Sequence, residues 1–238
     1  MTAALKQGHN RKNLISLIIP TYNEAKNITQ LVQRIAAAVK QPLEMVIVDD
    51  NSPDGTGAIA DALAKKYPIR VIHRPGKLGF ASAVIDGLRH ARGNIIGYID
   101  ADLSHPPELL PQLLRALDNG ADIAVGSRRV GNGKTTGWPL LRHAISLGAT
   151  LIASPLTRVK DRTSGYFVFK RNILHGKKLD LIGYKIMLEV VVRSGSKRVV
   201  EVPFTFVNRT AGKSKTNLKI CWLYVRHLAR LYRYKFFG

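Results

Sequence analysis

The sequence predicts an α/β fold built on a mostly parallel, doubly wound sheet, and three observations lead to this prediction. Short runs rich in β-branched residues alternate with segments whose apolar residues recur at helical spacing. This alternation continues from residue 14 to about residue 126, as in a series of β-α-β units. Acidic and polar residues directly follow several of the strands, where sheets of this kind bind their ligands.

The first β-α-β unit illustrates the pattern. The apolar run Leu14–Pro20 is short and rich in isoleucine, which predicts a strand buried on both faces. A helical repeat of apolar residues follows: Ile28, Leu31, Val32, Ile35 and Val39. Further strands are predicted at 43–49, 69–73, 94–99 and 121–126, with helices at 56–66, 80–91 and 107–119 between them.

The pattern changes after Ser127. Helices are predicted at 138–154 and 185–194, and strands at 166–170 and 198–207. The last segment, 218–237, has the period of a helix. Its apolar residues share one face, with basic residues elsewhere: Leu218, Cys221, Trp222, Val225, Leu228, Ala229 and Tyr232. This composition is typical of a basic amphipathic helix at a membrane interface.

The charge of the chain indicates anionic partners. Its 238 residues carry a net charge of +21, and from Arg209 onwards there are eight basic residues and no acidic one. Six of the 16 acidic residues lie within 49–54 and 100–108, which indicates an acidic centre in a basic shell. Nucleic acid is excluded as a partner because no helix-turn-helix, zinc-finger or RNP-like pattern is present. Anionic membranes and phosphorylated substrates remain.

Other features narrow the location. The single cysteine, Cys221, excludes an intramolecular disulfide and a cysteine-rich zinc site, which favours a reducing compartment. Residues 1–13 contain no apolar core of a signal peptide. No run of about 18 apolar residues is present, so no transmembrane helix is predicted.

Two carboxylates follow the strand at 94–99. Asp100 and Asp102 are two residues apart, so on an extended chain they point to the same side. Hard divalent cations such as Mg²⁺ or Mn²⁺ take oxygen ligands and often share them with substrate phosphates. The pair therefore suits a metal–diphosphate clamp, although an Asp-x-Asp triplet alone is also common in solvated turns.

Polar segments follow two further strands of the same predicted sheet. One is Pro20–Glu24 (Pro-Thr-Tyr-Asn-Glu), and the other is Val48–Thr56 (Val-Asp-Asp-Asn-Ser-Pro-Asp-Gly-Thr). The second segment also has the composition of a β-turn that caps a helix. Three polar strand ends in neighbouring positions make a site at this edge more plausible than any one of them does.

Together these motifs resemble glycosyltransferase family 2, and within it the dolichyl-phosphate mannose synthases. The resemblance covers about residues 14–216, in the order of that family: 20–24, 48–56, 100–108, 126–128, 163–165 and 209–215. It implies the nucleotide-sugar-binding fold called GT-A and transfer of a hexose, with inversion, from a nucleotide donor to a polyisoprenyl phosphate. The implied organisation is a nucleotide-sugar half at 14–127, an acceptor half at 128–216, and a membrane-interface helix at 217–238.

The resemblance also implies roles for individual residues. The nucleotide sugar would be bound by Pro20, Tyr22, Glu24, Val48, Asp50, Asp100, Ala101, Asp102, Arg128, Arg209 and Lys215. The divalent metal, Mg²⁺ or Mn²⁺, would be held by Asp100, Asp102 and Ser104, where some members have glutamine. The acceptor phosphate would be bound by Arg142, Ser146 and Ser164, and Asp161 would orient the acceptor. Among these, the catalytic set would be Asp100, Asp102, Arg128, Asp161 and Arg209.

Two related activities share much of this pattern, and one of them remains an alternative. A polyprenyl-phosphate glucose synthase that uses UDP-glucose shares nearly every motif. The sequence of residues 50–56, Asp-Asn-Ser-Pro-Asp-Gly-Thr, favours mannose and GDP-mannose. Processive polysaccharide synthases carry Gln-x-x-Arg-Trp, which is absent; Arg-x-x-Gly-x-Ser-Lys stands at 209–215. The expected location is the cytoplasmic face of a membrane, with peripheral attachment. A membrane-anchoring subunit or a C-terminal transmembrane continuation would be consistent with this.

Overall fold

A computed structural model of the chain describes residues 14–180, 182–207 and 218–237. Its strands are β1 (Ile15–Thr21), β2 (Leu43–Asp49), β3 (Ile69–His73), β4 (Ile95–Tyr98), β5 (Ile123–Ser127), β6 (Lys134–Thr136), β7 (Phe167–Lys170), β8 (Val199–Pro203) and β9 (Thr205–Val207). Its α-helices are α1 (Ile28–Ala38), α2 (Thr56–Ala64), α3 (Phe80–His90), α4 (Leu110–Asp118), α5 (Leu140–Ile152), α6 (Ile186–Ser194) and α7 (Leu218–Phe237). The mixed α/β class is confirmed.

A seven-stranded sheet forms the centre, in the order β3-β2-β1-β4-β7-β5-β8. β7 runs antiparallel to both of its neighbours, and the other pairs are parallel, so the prediction of a mostly parallel sheet is confirmed. The antiparallel direction of β7 brings the residues that precede it to the edge where the parallel strands end. That edge therefore receives loops from both halves of the chain.

Apolar side chains cover both faces of the sheet. In β1, Leu17 and Ile19 join one core cluster, whereas Ile18 points the other way and joins a second cluster. The first cluster includes the apolar stripe of α1 and residues of α4, and the second includes residues of α3 and α6. A strand buried on both faces has no polar side to alternate with, which explains the continuous apolar run at 14–20.

The predicted strand at 198–207 is two strands in the structure. β8 continues the main sheet as far as Pro203, and β9 leaves it to pair with β6 in a separate two-stranded ribbon. Phe204 lies between them and donates its backbone N–H to the Ser127 carbonyl at 2.9 Å. β6 was not predicted because its sequence, Lys-Thr-Thr, has no apolar run.

The helix predicted at 218–237 is present as α7. It buries Leu228 and Leu231 against Leu188 and Val192 of α6. Of the apolar face expected from the sequence, Leu228 turns towards the protein while Trp222 stays 66% exposed, so that face is divided between protein and solvent. Among the helices in the described ranges, none is long and apolar enough to cross a membrane.

Candidate active site

The three polar segments predicted from the sequence meet at one edge of the sheet. They follow β1, β2 and β4, which are adjacent parallel strands. Each segment contains one non-glycine residue with a left-handed backbone: Asn23 (φ 60°), Asn51 (φ 56°) and Leu103 (φ 61°). Such a conformation costs on the order of 1–3 kcal/mol and tends to cluster at functional sites. Here it turns the chain sharply after each strand.

Hydrogen bonds join the first two segments into one wall. The backbone N–H groups of Asn23, Glu24 and Ala25 donate to side-chain oxygens of Ser52, Thr56 and Asp54, at 2.9–3.0 Å. The acidic residues of 49–54 are thus partly structural. The segment turns the chain as expected, but the N-cap of α2 is Gly55, which has no capping side chain; the Thr56 N–H bonds instead to Asp54 at 3.1 Å.

Asp50 is less accessible than its expected contact with the nucleoside requires. It is 5% exposed; one carboxylate oxygen pairs with Arg74, and the other accepts the Gly79 N–H at 3.0 Å. Asp50 therefore holds the loop after β3 against the site. In that loop, Lys77 places its ammonium 3.8 Å from the centre of the Tyr22 ring, a cation–π contact over an expected nucleoside-binding residue.

The carboxylates of Asp100 and Asp102 lie at the end of β4. The Tyr98 hydroxyl donates to Asp100, whose side chain is 33% exposed. Asp102 is 6% exposed and accepts hydrogen bonds from the backbone N–H and the hydroxyl of Ser104, at 3.1 and 2.6 Å. Two carboxylates on one turn form a donor set that fits a hard divalent cation whose other ligands are phosphate and water oxygens.

Ser104 does not fit its expected role as a metal ligand. It is 3% exposed, and its hydroxyl is committed to Asp102. Within the described ranges, no group of three or more His, Cys, Asp or Glu side chains could hold a metal ion. Any ion at this turn would therefore depend on the two aspartates and on the substrate's own oxygens.

His105 supports the same turn from behind, a contact that the sequence did not predict. Its Nδ1 accepts the Asp100 N–H at 3.2 Å, and its ring stacks on Tyr166 with centroids 5.0 Å apart. Burial lowers the pKa of His105, which favours the neutral ring that can accept this hydrogen bond. A histidine before two prolines gives no sequence signal beyond that of an ordinary helix entry.

Arg128 faces this turn from the other half of the chain. Its guanidinium forms a two-pronged pair with Asp161, with both N–O distances at 2.7 Å, and donates to the Thr163 hydroxyl at 2.9 Å. Burial raises the pKa of Asp161, but the hydrogen bonds and charge of Arg128 outweigh it, so the net pKa is lowered. Asp161 is fully buried. It orients Arg128, and the expectation that it orients the acceptor directly does not fit this geometry.

Lys185 completes the cationic side of the cleft. Its ammonium donates to the Thr163 carbonyl at 2.9 Å, and it lies within electrostatic range of Arg128, Asp161 and Asp100. Burial, followed by the charge of Arg128, lowers the pKa of Lys185 from 10.5 to about 8. Sequence reasoning missed this residue. The available signal was a single lysine directly before the apolar run of α6.

The residues expected at the acceptor phosphate are placed in different ways. Arg142 stacks over Trp138 at 4.1 Å, and Arg128 lies 5.4 Å from the same ring, so the tryptophan links the two arginines. Ser146 accepts a hydrogen bond from Arg129 at 3.2 Å. Ser164 is 2% exposed and donates to the Gly126 carbonyl at 2.6 Å, which is a structural role and not the expected phosphate contact.

The remaining expected residues divide into three groups. Val48 and Ala101 are buried, so only their backbone can face a ligand. Pro20 and Glu24 are partly exposed at the rim of the first segment. Arg209 and Lys215 lie outside the described residues.

Comparisons with known proteins identify the family of the chain. The chain is 45% identical to a dolichol-phosphate mannosyltransferase of Pyrococcus furiosus over 93% of its length, and it spans 64% of that relative. It is 37% identical to a dolichol-phosphate mannosyltransferase of Saccharomyces cerevisiae, covering 93% of this chain and 88% of the relative.

A solved structure shares the fold at low identity. It is glucosyl-3-phosphoglycerate synthase from Mycobacterium tuberculosis in complex with Mn²⁺, UDP and glucosyl-3-phosphoglycerate. The TM-score is 0.66 at 20% identity, with 98% of this chain and 86% of that chain covered. The family model described as glycosyl transferase family 2 matches residues 16–176, more than half of the chain. The protein, whose strand-end carboxylate Asp100 lies within electrostatic range of Lys185 from the second half of the chain, belongs to glycosyl transferase family 2.

Proposed function

We propose that this glycosyltransferase moves mannose from GDP-mannose to a polyisoprenyl phosphate, with inversion and with a divalent metal. One observation carries the proposal: carboxylates and cations gather around one buried ring. Asp100, Asp102, Arg128 and Lys185 all lie within electrostatic range of His105, and Arg142 lies within range of Lys185. A reaction between two phosphate-bearing substrates requires both kinds of surface. The names of the two relatives described above support the sugar and the lipid class.

The donor side uses the carboxylate turn. Asp100 and Asp102 would hold Mg²⁺ or Mn²⁺, and the bound ion would supply positive charge to the diphosphate as it leaves. The wall around Tyr22 and Glu24 would receive the nucleoside. Arg128 gives Nε and Nη2 to Asp161 and Thr163, so it would bind a diphosphate oxygen with Nη1 and add its charge there.

The acceptor phosphate would supply the nucleophile. A phosphate monoester has a second pKa of about 6, so its oxygen is already anionic near neutral pH and needs no strong general base. This oxygen attacks the anomeric carbon, and the bond from that carbon to the diphosphate breaks, with the electron pair leaving on the nucleoside diphosphate. Arg142 and Lys185 would hold the attacking phosphate in line, so the protein contributes mainly positioning and electrostatic stabilisation.

Peripheral attachment to a membrane would bring the lipid to this cleft. α5, which carries Arg142, exposes Leu140, Leu141 and Leu151 at 89%, 72% and 60%. α7 exposes Trp222 and basic residues on its outer side. Exposed apolar and basic side chains on two neighbouring helices suit an anionic leaflet. We therefore assign the acceptor role to 128–216 and the interface role to 217–238.

A transfer assay with purified protein tests the proposal. A short polyisoprenyl phosphate in detergent is offered with GDP-mannose or UDP-glucose, each with Mn²⁺, with Mg²⁺ or with EDTA. We expect a mannosylated lipid phosphate with GDP-mannose and metal, and none with EDTA. Product only from UDP-glucose would replace the mannose assignment with the glucose alternative. Absence of any lipid product, despite thermal stabilisation by a nucleotide sugar, would refute the acceptor assignment.

A further inference from the structure

The helix α6 contains a buried acid that the reaction itself does not use. Every residue from Ile186 to Val192 is buried, and all are apolar except Glu189, which is 0% exposed. A buried carboxylate is retained only where it is fully paired, because removing a charge from water is costly. Glu189 lies one helical turn after Lys185, and its backbone N–H bonds to the Lys185 carbonyl at 3.3 Å.

Three donors satisfy Glu189, and each comes from a different part of the chain. The Asp180 N–H donates to Oε1 at 2.8 Å, and Arg193 of the same helix donates to that oxygen as well. Oε2 is bound by His227 of α7 at 2.7 Å. Because an ionised carboxylate can only accept, His227 must donate its Nε2–H. Both side chains of this contact are 1% exposed.

A second contact joins α7 to the start of the same segment. Arg230, one turn after His227, pairs with the Asp180 carboxylate at 2.5 Å. The stretch from Asp180 to Glu189 is therefore held at both ends by α7. Lys185 lies within this stretch and reaches from it to the Thr163 carbonyl beside Arg128.

The helix α7 also forms hydrogen bonds to α5. The hydroxyl of Tyr224 donates to the Ala149 carbonyl at 2.7 Å, and that of Tyr232 donates to the Ile152 carbonyl at 2.5 Å. α5 carries Arg142 at its other end. α7 thus contacts both elements that carry cations of the acceptor side, although it contributes no residue to the cleft in the described ranges.

We propose that Glu189 and His227 are positioning residues for the acceptor phosphate: their buried contact fixes α6 on α7 and so sets the place of Lys185. The inference rests on the proposed function. According to this proposal, the lipid phosphate binds well only when α7 is packed against α6. In the described ranges α7 contributes no side chain to the nucleotide wall, whose nearest link to this segment is the stack of Tyr184 on Phe80, with ring centroids 5.0 Å apart.

Four variants test the inference. His227→Leu removes the donor, His227→Gln keeps a side-chain N–H, and Glu189→Gln removes the charge at constant shape. Arg230→Gln releases Asp180 at a side chain that is 41% exposed, so the variant folds even if the buried substitutions do not. Asp122→Asn is the matched control, because it breaks a two-pronged pair with Arg198 at 2.6 and 3.1 Å, between β5 and β8.

The first measurement needs no substrate. Hydrogen exchange of the backbone at 163–165 and 182–188 should become about tenfold faster in His227→Leu, as expected when a local contact is lost. His227→Gln should restore most of the protection, and Asp122→Asn should leave these segments unchanged. Unchanged exchange in His227→Leu, Glu189→Gln and Arg230→Gln would overturn the inference, whatever the activity of the protein.

The second measurement separates positioning from general stability. In the transfer assay, His227→Leu and Glu189→Gln should raise KM for the polyisoprenyl phosphate about tenfold, because a small misplacement of a binding group is costly. KM for the nucleotide sugar should rise less, because the ring contact that links this segment to the donor side is the stack of Tyr184 on Phe80. Equal effects on both KM values, or the same acceptor effect in Asp122→Asn, would reduce the contact to a structural one. A wild-type protein that binds no lipid phosphate refutes the proposed function, and hydrogen exchange then decides this inference alone.

Discussion

At the scale of single residues, the proposed site is organised by pairs in which a buried side chain holds a more exposed one. Asp161 and Arg128 form one such pair, and His105 supports Asp100 in the same way. The buried member fixes the geometry, which is the usual requirement for electrostatic stabilisation of a transition state. Loss of a facing residue and loss of its support should therefore have different consequences.

Replacement of a facing carboxylate should remove activity while the fold remains. We expect Asp102→Asn to lower kcat by roughly 10²- to 10³-fold, the size of loss seen for one preorganised electrostatic contact. The comparison is Asp61→Asn, whose carboxylate is 54% exposed and pairs with His73 at the end of β3, which β2 and β1 separate from β4. Steady-state kinetics and thermal unfolding of both variants test this. Full activity of Asp102→Asn at saturating Mn²⁺ would contradict the metal assignment.

The depressed pKa of Lys185 predicts a pH dependence for binding of the lipid phosphate. With a pKa of about 8, the free protein loses this charge as the pH rises through 8, while the acceptor phosphate stays fully ionised. Affinity should then fall by up to about tenfold per pH unit above 8. Lys185→Met should bind weakly without this slope, and Lys185→Arg should bind tightly without it. Calorimetric titrations with the lipid phosphate from pH 7 to 9.5 measure the affinity of each variant. If Lys185→Met keeps the pH dependence, another group causes it.

Folding stability should change with the opposite sign. Between pH 8 and 10.5 the unfolded chain holds a proton on Lys185 that the folded chain has released, so the free energy of unfolding rises with pH in this window. Urea unfolding of the wild type and of Lys185→Met at pH 8 and pH 10 measures this contribution as the difference between their two increments. A larger increment in Lys185→Met would show that the sign is wrong.

At the scale of elements, a small cluster of apolar side chains packs α7 against α6. Leu231 is fully buried between α7 and α6, whereas Val225 on the same helix is 53% exposed. We expect Leu231→Ala to lower the free energy of unfolding by about 2–5 kcal/mol, as for other large-to-small changes in a core. Val225→Ala should change it by less than about 0.5 kcal/mol. Urea titrations followed by circular dichroism compare the two variants. Equal losses of unfolding free energy would mean that Leu231 is not part of the contact that holds α7.

The elements could be predicted from the sequence wherever local pattern decides the structure. Strands and helices through β5 follow from apolar periodicity, and the carboxylate turn follows from its place after β4. The antiparallel direction of β7 and the pairing of β6 with β9 depend on distant partners, which periodicity does not report. Lys185 and His105 were missed for the same reason, since each contacts residues 5 to 22 positions away only after folding. The burial of Asp161 and Ser164 likewise depends on the folded surroundings.

At the scale of the whole molecule, the exposed apolar residues gather on the side of α5 and α7. We expect the protein to co-sediment with anionic vesicles at low salt, with each basic residue near the surface contributing on the order of 1 kcal/mol. The double variants Leu140→Ser/Leu141→Ser and Trp222→Ser/Val225→Ser should weaken this binding. Val200→Ser, at a 43% exposed position on β8, should not. Point variants are preferred to deletion of 217–238, because deletion would also remove the buried apolar contact between α7 and α6.

Two outcomes would contradict membrane attachment through these helices. One is a wild-type protein that remains in the supernatant with anionic vesicles at low salt. The other is equal binding by the wild type and both double variants. Rising ionic strength should weaken the binding, because exposed charges are screened over about 10 Å at 0.1 M salt.

The position of β7 has a consequence for synthesis of the chain on the ribosome. Among the described strands, β5 hydrogen-bonds to β7 and β8 alone, both of which follow it in the sequence, and β4 has β7 as its second neighbour. A nascent chain that has emerged only as far as residue 127 therefore holds β5 without any strand partner and β4 with an open edge. Unpaired strands of this kind are prone to aggregation. The first 127 residues should thus need a chaperone to cover these strands until residues 167–170 have been synthesised. A protein cut after residue 127 should regain activity only when both pieces are folded together.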